Sequence, residues 1–403
     1  MNNLLVKLRN RPDFLILMMC AAVPLSFSTW SALINNFAIE RASFTGVEMG
    51  ILQSLREIPG FMAFAVIYIL LLIKEQSLAY LSLVIMGVGT VITGWFPTAF
   101  GLYITTVIMS VGFHYYETLQ SSLTLQWVDK RETPELMGKI IAVGSFTSIL
   151  AFGLIWLGTE YFALDYIWIY MIGGGGSIII GLVCWLAFPI FPQKVEQHKT
   201  MVLRRRYWLY YLLTFLSGAR RQIFVVFAGF LMVEKFSFSL ASIAALFLIN
   251  SVLNIFFARR IGRLIGVIGE RRALIFEYSG LIVVFTAYAF VTNATLAAGL
   301  YIIDHFFFAL AIAISTYFQK IADPADIAST AGVGFTINHI AAVVLPALLG
   351  LLWIVSPMLV FLCGAALAAL SLFCSFLIPT SPAPGNESTL SSSPQIISSS
   401  TSA

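Results

Sequence analysis

Two short strings set an imidazole close to a carboxylate: His114-Tyr115-Tyr116-Glu117 and Asp304-His305. Residues three apart on a helix share a face, so His114 and Glu117 can pass a proton between them or to a bound molecule. An imidazole titrates near neutrality, and a carboxylate in a partly dehydrated cavity holds its proton more readily than in water. Asp304 beside His305 invites the same chemistry. A third string, Arg220-Arg221, differs in kind. A guanidinium grips an anionic group bidentately. Neighbours on a helix diverge by about 100°, so one arginine suits a solute anion and the other a partner such as Glu57, Glu117 or Asp304. Arg56-Glu57 has the form of an ion pair that exchanges partners between conformations. Asn35, Tyr115, Asn250 and Asn338 offer further contacts to a bound molecule. Each of these groups also has a static reading as a bond between helices. Asn254 and His339 read chiefly that way, and Glu277 reads as interfacial.

The setting of these groups decides their weight. Of 403 residues, 59% are hydrophobic and 10% charged, against roughly 25% charged in a soluble domain. That excludes a soluble enzyme and a disordered chain. A net charge of +4 gives no footprint for nucleic acid. The four cysteines, Cys20, Cys184, Cys363 and Cys374, lie in apolar runs with the spacing of neither a zinc site nor a disulfide framework. No metal or cofactor is implied.

A membrane-crossing helix needs about 20 largely apolar residues. Twelve such runs are present, at about 14–36, 46–73, 77–96, 100–123, 137–158, 166–188, 207–231, 239–257, 273–291, 297–317, 328–350 and 358–378. Lys and Arg collect in the connections of one side, whereas the opposite loops hold only Arg41 and Lys235. This bias puts both termini in the cytoplasm of an inner or plasma membrane. A mid-span charge costs roughly 2.5–3.5 kcal/mol on insertion scales, so Arg56, Glu57, Glu117, Arg220, Arg221 and Asp304 facing lipid would cost on the order of 15–20 kcal/mol. They must face one another or a wet cavity. Gly173–Gly176 lacks the Lys-Ser/Thr of a phosphate loop and reads as close helix packing.

The basic linker 191–206 divides the chain into six-helix bundles at 1–190 and 207–379, leaving a Ser-rich tail, 380–403, expected to be disordered and cytoplasmic. The halves echo each other weakly: His114-Tyr115-Tyr116 with His305-Phe306-Phe307, and Gln53-Ser54 with Asn250-Ser251. The segment between spans 8 and 9, Gly262-Arg263-Leu264-Ile265-Gly266-Val267-Ile268-Gly269-Glu270-Arg271-Arg272, resembles the G-x-x-x-D-R-x-G-R-R signature of the major facilitator superfamily. It keeps the framing Gly262 and Gly269 and the closing Arg271-Arg272, with Gly266 in the acidic position. The first-half counterpart, Ile73-Lys74-Glu75-Gln76, has almost none of the pattern.

The resemblance implies an all-α fold of twelve transmembrane helices in two pseudo-symmetric bundles, with spans 1, 4, 7 and 10 around a central cavity. It implies a secondary transporter working by alternating access, and a gate at the Gly262–Arg272 loop. The adjacent Arg220-Arg221 pair tilts the expected solute toward a small organic anion or zwitterion, with protons as the expected coupling ions and a monomer as the expected state in the bilayer. A transporter-like membrane sensor or assembly factor without flux is the rival class. An intramembrane enzyme fits worse, because His114-Tyr115-Tyr116-Glu117 lacks the H-E-x-x-H spacing and there is no nucleophile elbow.

Overall fold

The computed structural model describes residues 8–62, 66–70, 72–127, 133–192, 203–323 and 327–390. The described chain is helical, crossing back and forth as α1 (Pro12–Ala42), α2 (Gly46–Phe61, resumed at Val66–Ile69), α3 (Glu75–Thr93), α4 (Ala99–Trp127), α5 (Thr133–Glu160) and α6 (Tyr166–Ala187). The second half follows as α7 (Arg205–Phe236), α8 (Leu240–Ile268), α9 (Glu270–Phe290), α10 (Ala294–Ile321), α11 (Ile327–Val355) and α12 (Pro357–Phe376). Among the described residues ten helices are long and apolar enough to cross a membrane. The other two, α2 and α4, carry Gln53, Arg56, Glu57, His114 and Glu117, and α2 is described as a helix over only 16 residues before its resumption at Val66.

The tight turns opposite the chain ends are fixed by local chemistry. Thr45 and Glu48 form a capping box at the start of α2. Asp165 caps α6, Ser239 caps α8, and Asn293 accepts from Thr295 and Leu296 at the start of α10. Each cap satisfies backbone N–H groups that the first helical turn leaves without partners. Asn293, the head of a glycosylation-like string, is thus engaged as a cap.

Hydrocarbon tails give helices no hydrophobic reason to associate, so close approach of small residues does the work. In the first half a Cβ added to Gly87 or Gly174 would strike the backbone of the other helix at that contact, and one on Gly173 would strike Thr29. Ser26 and Thr90 share a hydrogen bond of 2.5 Å, and Ser177 donates to the Leu83 carbonyl at 3.2 Å. The glycine run of span 6 therefore serves packing. Large apolar side chains such as Ile141, Phe146, Trp168, Ile179 and Leu186 point outward, as lipid-facing surfaces should.

The two halves meet along α2 and α11, α5 and α8, and α1 and α7. On the face opposite the chain ends the helices approach closely. A Cβ on Gly46 would overlap Trp353, and one on Gly50 would overlap the Pro346 carbonyl. Ala347 N–H donates to Ser54 Oγ at 3.0 Å, and Asn36 donates to the Phe238 carbonyl at 2.8 Å. Phe152 and Phe247 meet edge to face at 5.4 Å. Ion-pair and ring contacts also cross the halves at mid-depth, where His339 meets Glu57 and His114.

Three expectations need correction. α8 continues to Ile268, well past 257, so Gly262 sits in a helix and only Gly269, at φ 82°, makes the turn. A positive φ costs glycine nothing. The tail was expected to be disordered, yet residues 380–390 fold back: the Tyr317 hydroxyl donates to the Glu387 carbonyl, and Thr389 N–H donates to the Leu377 carbonyl at 2.9 Å. Residues 391–403 and most of the linker lie outside the described residues. Glu277, read as interfacial, is fully buried.

Candidate functional site

At mid-depth the charged groups separate into a cluster on the seam, a cluster inside the second half, and a set open to water. Glu57 is the hub of the first. One of its oxygens, Oε1, takes the Arg56 guanidinium. Gln53 Oε1 accepts from Arg56 Nε at 2.8 Å, and the rings of Phe27 and Trp30 each lie 5.9 Å from the guanidinium carbon. The other oxygen, Oε2, faces His339 Nε2 of α11 at 3.6 Å. The His114 ring meets the His339 ring edge to face at 5.2 Å. Gly60 leaves the space for both rings, since a Cβ there would collide with each. Arg56, Glu57, His114 and His339 are all buried.

The second cluster is enclosed by α7, α9 and α10. Arg220 lies 3.7 Å from Glu277 with neither side chain exposed. That is an ion pair, not a hydrogen bond. The guanidinium stacks 4.4 Å above the Tyr278 ring, and its Nε donates to the Leu216 carbonyl at 3.2 Å. Asp304 is buried within electrostatic range of both charges, with no hydrogen bond to either carboxylate oxygen among the described residues.

The third set is Glu117, Arg221 and His305. The Glu117 side chain is 47% accessible, and Arg221 and His305 are exposed. All three sit in the middle of long spans. Arg221 lies within electrostatic range of Glu57, Glu117 and His305, so these exposed groups of α4, α7 and α10 lie near one another, as groups sharing one wet cavity would. Both second-half spans lose regular geometry just beyond these residues: α7 passes through a π turn at Phe224–Ala228 and α10 through a 3-10 turn at Ala309–Ala311. Such irregular turns re-aim side chains, often at functional positions. His305 Nδ1 donates to the Tyr301 carbonyl at 2.9 Å, fixing its ring against Phe224.

The expected site residues are thus divided. Arg220 and Arg221 part as their spacing demands, but Arg220 goes to Glu277 inside the bundle. Asp304 and His305 face opposite ways and do not form a pair. His114 Nδ1 is 4.0 Å from Glu117, too far for a hydrogen bond, and the ring turns toward Glu57 and His339 instead. Asn35 is buried at the seam beside Gly229, not in the cavity. Asn250 is buried with neither amide atom bonded among the described residues, Tyr115 is half-buried against the core, and Asn338 packs on Gly218.

The sequence profile described as Major Facilitator Superfamily matches residues 14–346, the greater part of the chain. The chain belongs to the major facilitator superfamily. It is therefore an integral multi-pass membrane transporter of small-molecule solutes and not an enzyme. Its fold is similar to a nucleoside transporter, NupG, at TM-score 0.73 and 16% identity, covering 90% of this chain and 98% of that one. It is also similar to a bacterial homolog of the human lysosomal transporter Spinster, in an inward-facing and occupied conformation, at TM-score 0.70 and 14% identity, covering 91% and 95%. No curated protein sequence matches the chain. The superfamily signature takes shape around the Gly269 turn, where Lys320 of α10 bonds Glu270 at 2.9 Å and Arg271 and Arg272 open α9.

His339 and Glu277 are the residues that sequence reasoning undervalued. His339 is one of only four histidines in the chain, which was a signal. Glu277 follows the basic Arg271-Arg272 pair by little more than a turn, which disguised its depth.

Proposed function

We propose that this transporter moves a small zwitterionic or anionic organic solute by alternating access, driven by protons. The observation that supports it most is the placement of Arg221 and Glu117, two exposed charges of opposite sign. They come from opposite halves, are open to water at mid-depth, and lie within electrostatic range of each other. Arg221 binds the solute's anionic group and Glu117 its ammonium group, with His305 as a further donor or acceptor. A solute bridging the two draws the halves together. A neutral nucleoside, the solute in the NupG name, would desolvate both charges without supplying either a counter-charge.

Asp304 carries the coupling proton. Glu277 and Asp304 against Arg220 leave one uncompensated negative charge in a dry pocket, and a proton on Asp304 removes it. Closure at the face opposite the chain ends, with the basic connections on the other, gives a state open to the cytoplasm with both termini inside. Reconstituted liposomes given a pH gradient test the reading. Uptake of labelled zwitterions should be lost in Arg221→Ala, and full uptake in that variant overturns the solute site.

A further inference from the structure

We propose that Glu57, His114 and His339 form a divalent transition-metal site, suited to Zn²⁺, that staples the two halves together. The three donor atoms, one from each residue, all lie within 4.8 Å of one another, and all three residues are buried. Two His nitrogens and one carboxylate oxygen are a recurrent zinc donor set, with bonds of about 2.0–2.2 Å leaving a fourth position for water. Bonds of that length at tetrahedral angles put donors about 3.4 Å apart. The 3.6 Å between Glu57 Oε2 and His339 Nε2 already fits, and the remaining donor separations, within 4.8 Å, would close as the ion binds.

The surroundings fit a metal as well. His114 is buried with no hydrogen bond to either ring nitrogen among the described residues. A buried imidazole whose neighbouring carboxylate, Glu117, stays 4.0 Å away is poorly satisfied, and a metal bond would satisfy it. Arg56, itself held by Gln53, takes Oε1 of Glu57 and so aims Oε2 at the histidines, the orienting role that outer groups play around metal ligands. Glu117, open to the cavity and 4.0 Å from His114, marks the way in. Glu57 and His114 belong to the first half and His339 to the second, so an ion bound by all three binds only the conformation in which α2 and α11 meet. It stabilises that conformation by mass action.

The test needs no solute, so it stands apart from the transport proposal. Metal-stripped protein in detergent is titrated with ZnCl₂ by calorimetry, and thermal unfolding is followed with and without the ion. One Zn²⁺ per chain is expected, with affinity reduced at least tenfold in His114→Gln and in His339→Gln, each checked for intact folding by gel filtration. Zn²⁺ should raise the unfolding temperature of the wild type and not of His339→Gln. Co²⁺ bound to the wild type should show visible bands of low coordination number, a reading that requires no variant. Absence of saturable Zn²⁺ binding, equal affinity in the variants, or no Co²⁺ bands overturns the site. A Zn²⁺-induced rise that survives His339→Gln overturns the staple.

Discussion

Arg220 and Arg221 are neighbours in sequence with opposite fates, and substituting each separates stability from transport. Arg220 sits 3.7 Å from Glu277 with both side chains fully buried. With an effective dielectric constant of 20, charges at that distance attract by about 4 kcal/mol. Removing one partner of a buried pair typically costs 3–5 kcal/mol because the other charge stays buried. Here Asp304, when its proton has left, adds a second stranded carboxylate. Arg220→Met keeps much of the volume and the contact with Tyr278, so the loss isolates the charge. We expect it to lower the unfolding free energy by about 4 kcal/mol. Arg221→Ala empties a position that already faces water, so its cost should be within about 0.5 kcal/mol. Unfolding in mixed micelles, read by tryptophan fluorescence, measures both. Solute uptake should fail in Arg221→Ala despite normal stability. Equal stability of Arg220→Met and the wild type would refute the buried-pair reasoning.

Other outcomes follow from the same geometry. Arg221→Lys should retain partial uptake with a raised KM, since an ammonium supplies charge without the bidentate fork; unchanged kinetics would count against carboxylate binding. Asp304→Asn should abolish accumulation driven by a pH gradient while solute exchange at equal pH continues, measured in the same liposomes. Gly50→Val has no space beside the Pro346 carbonyl. It should therefore part the halves on the face opposite the chain ends, exposing a cysteine placed at Ser54 to a membrane-impermeant thiol reagent. Thr45→Ala removes a capping box and should cost about 1 kcal/mol, with transport kept.

The fold was legible because lipid imposes a length and an apolarity that few sequences meet by accident. Those rules fail where function intrudes. α2 and α4 are polar at the depth where they build the seam and the cavity. α8 overruns its apolar stretch because its last turns leave the hydrocarbon while the helix continues. The site was legible as a set of charges but not as an arrangement. Sequence says that Arg220 and Arg221 diverge, not which one faces the cavity. That depends on how α7 is rotated against α9, where Glu277 holds Arg220. His339 was hidden for a related reason: its partner Glu57 is far away in the chain and in the other half, and no local spacing connects them.

The seam at mid-depth has a consequence in terms of water. Glu57 and His339 are dry because α2 and α11 press together there. Any motion that parts these helices hands a carboxylate and an imidazole back to solvent, and several water molecules must enter to hydrate them. Conformational change in this transporter is then also a hydration step, and its equilibrium depends on the activity of water as well as on solute. Osmolytes excluded from the cavity should favour the closed seam, so osmotic pressure acts on the protein directly, without passing through the bilayer.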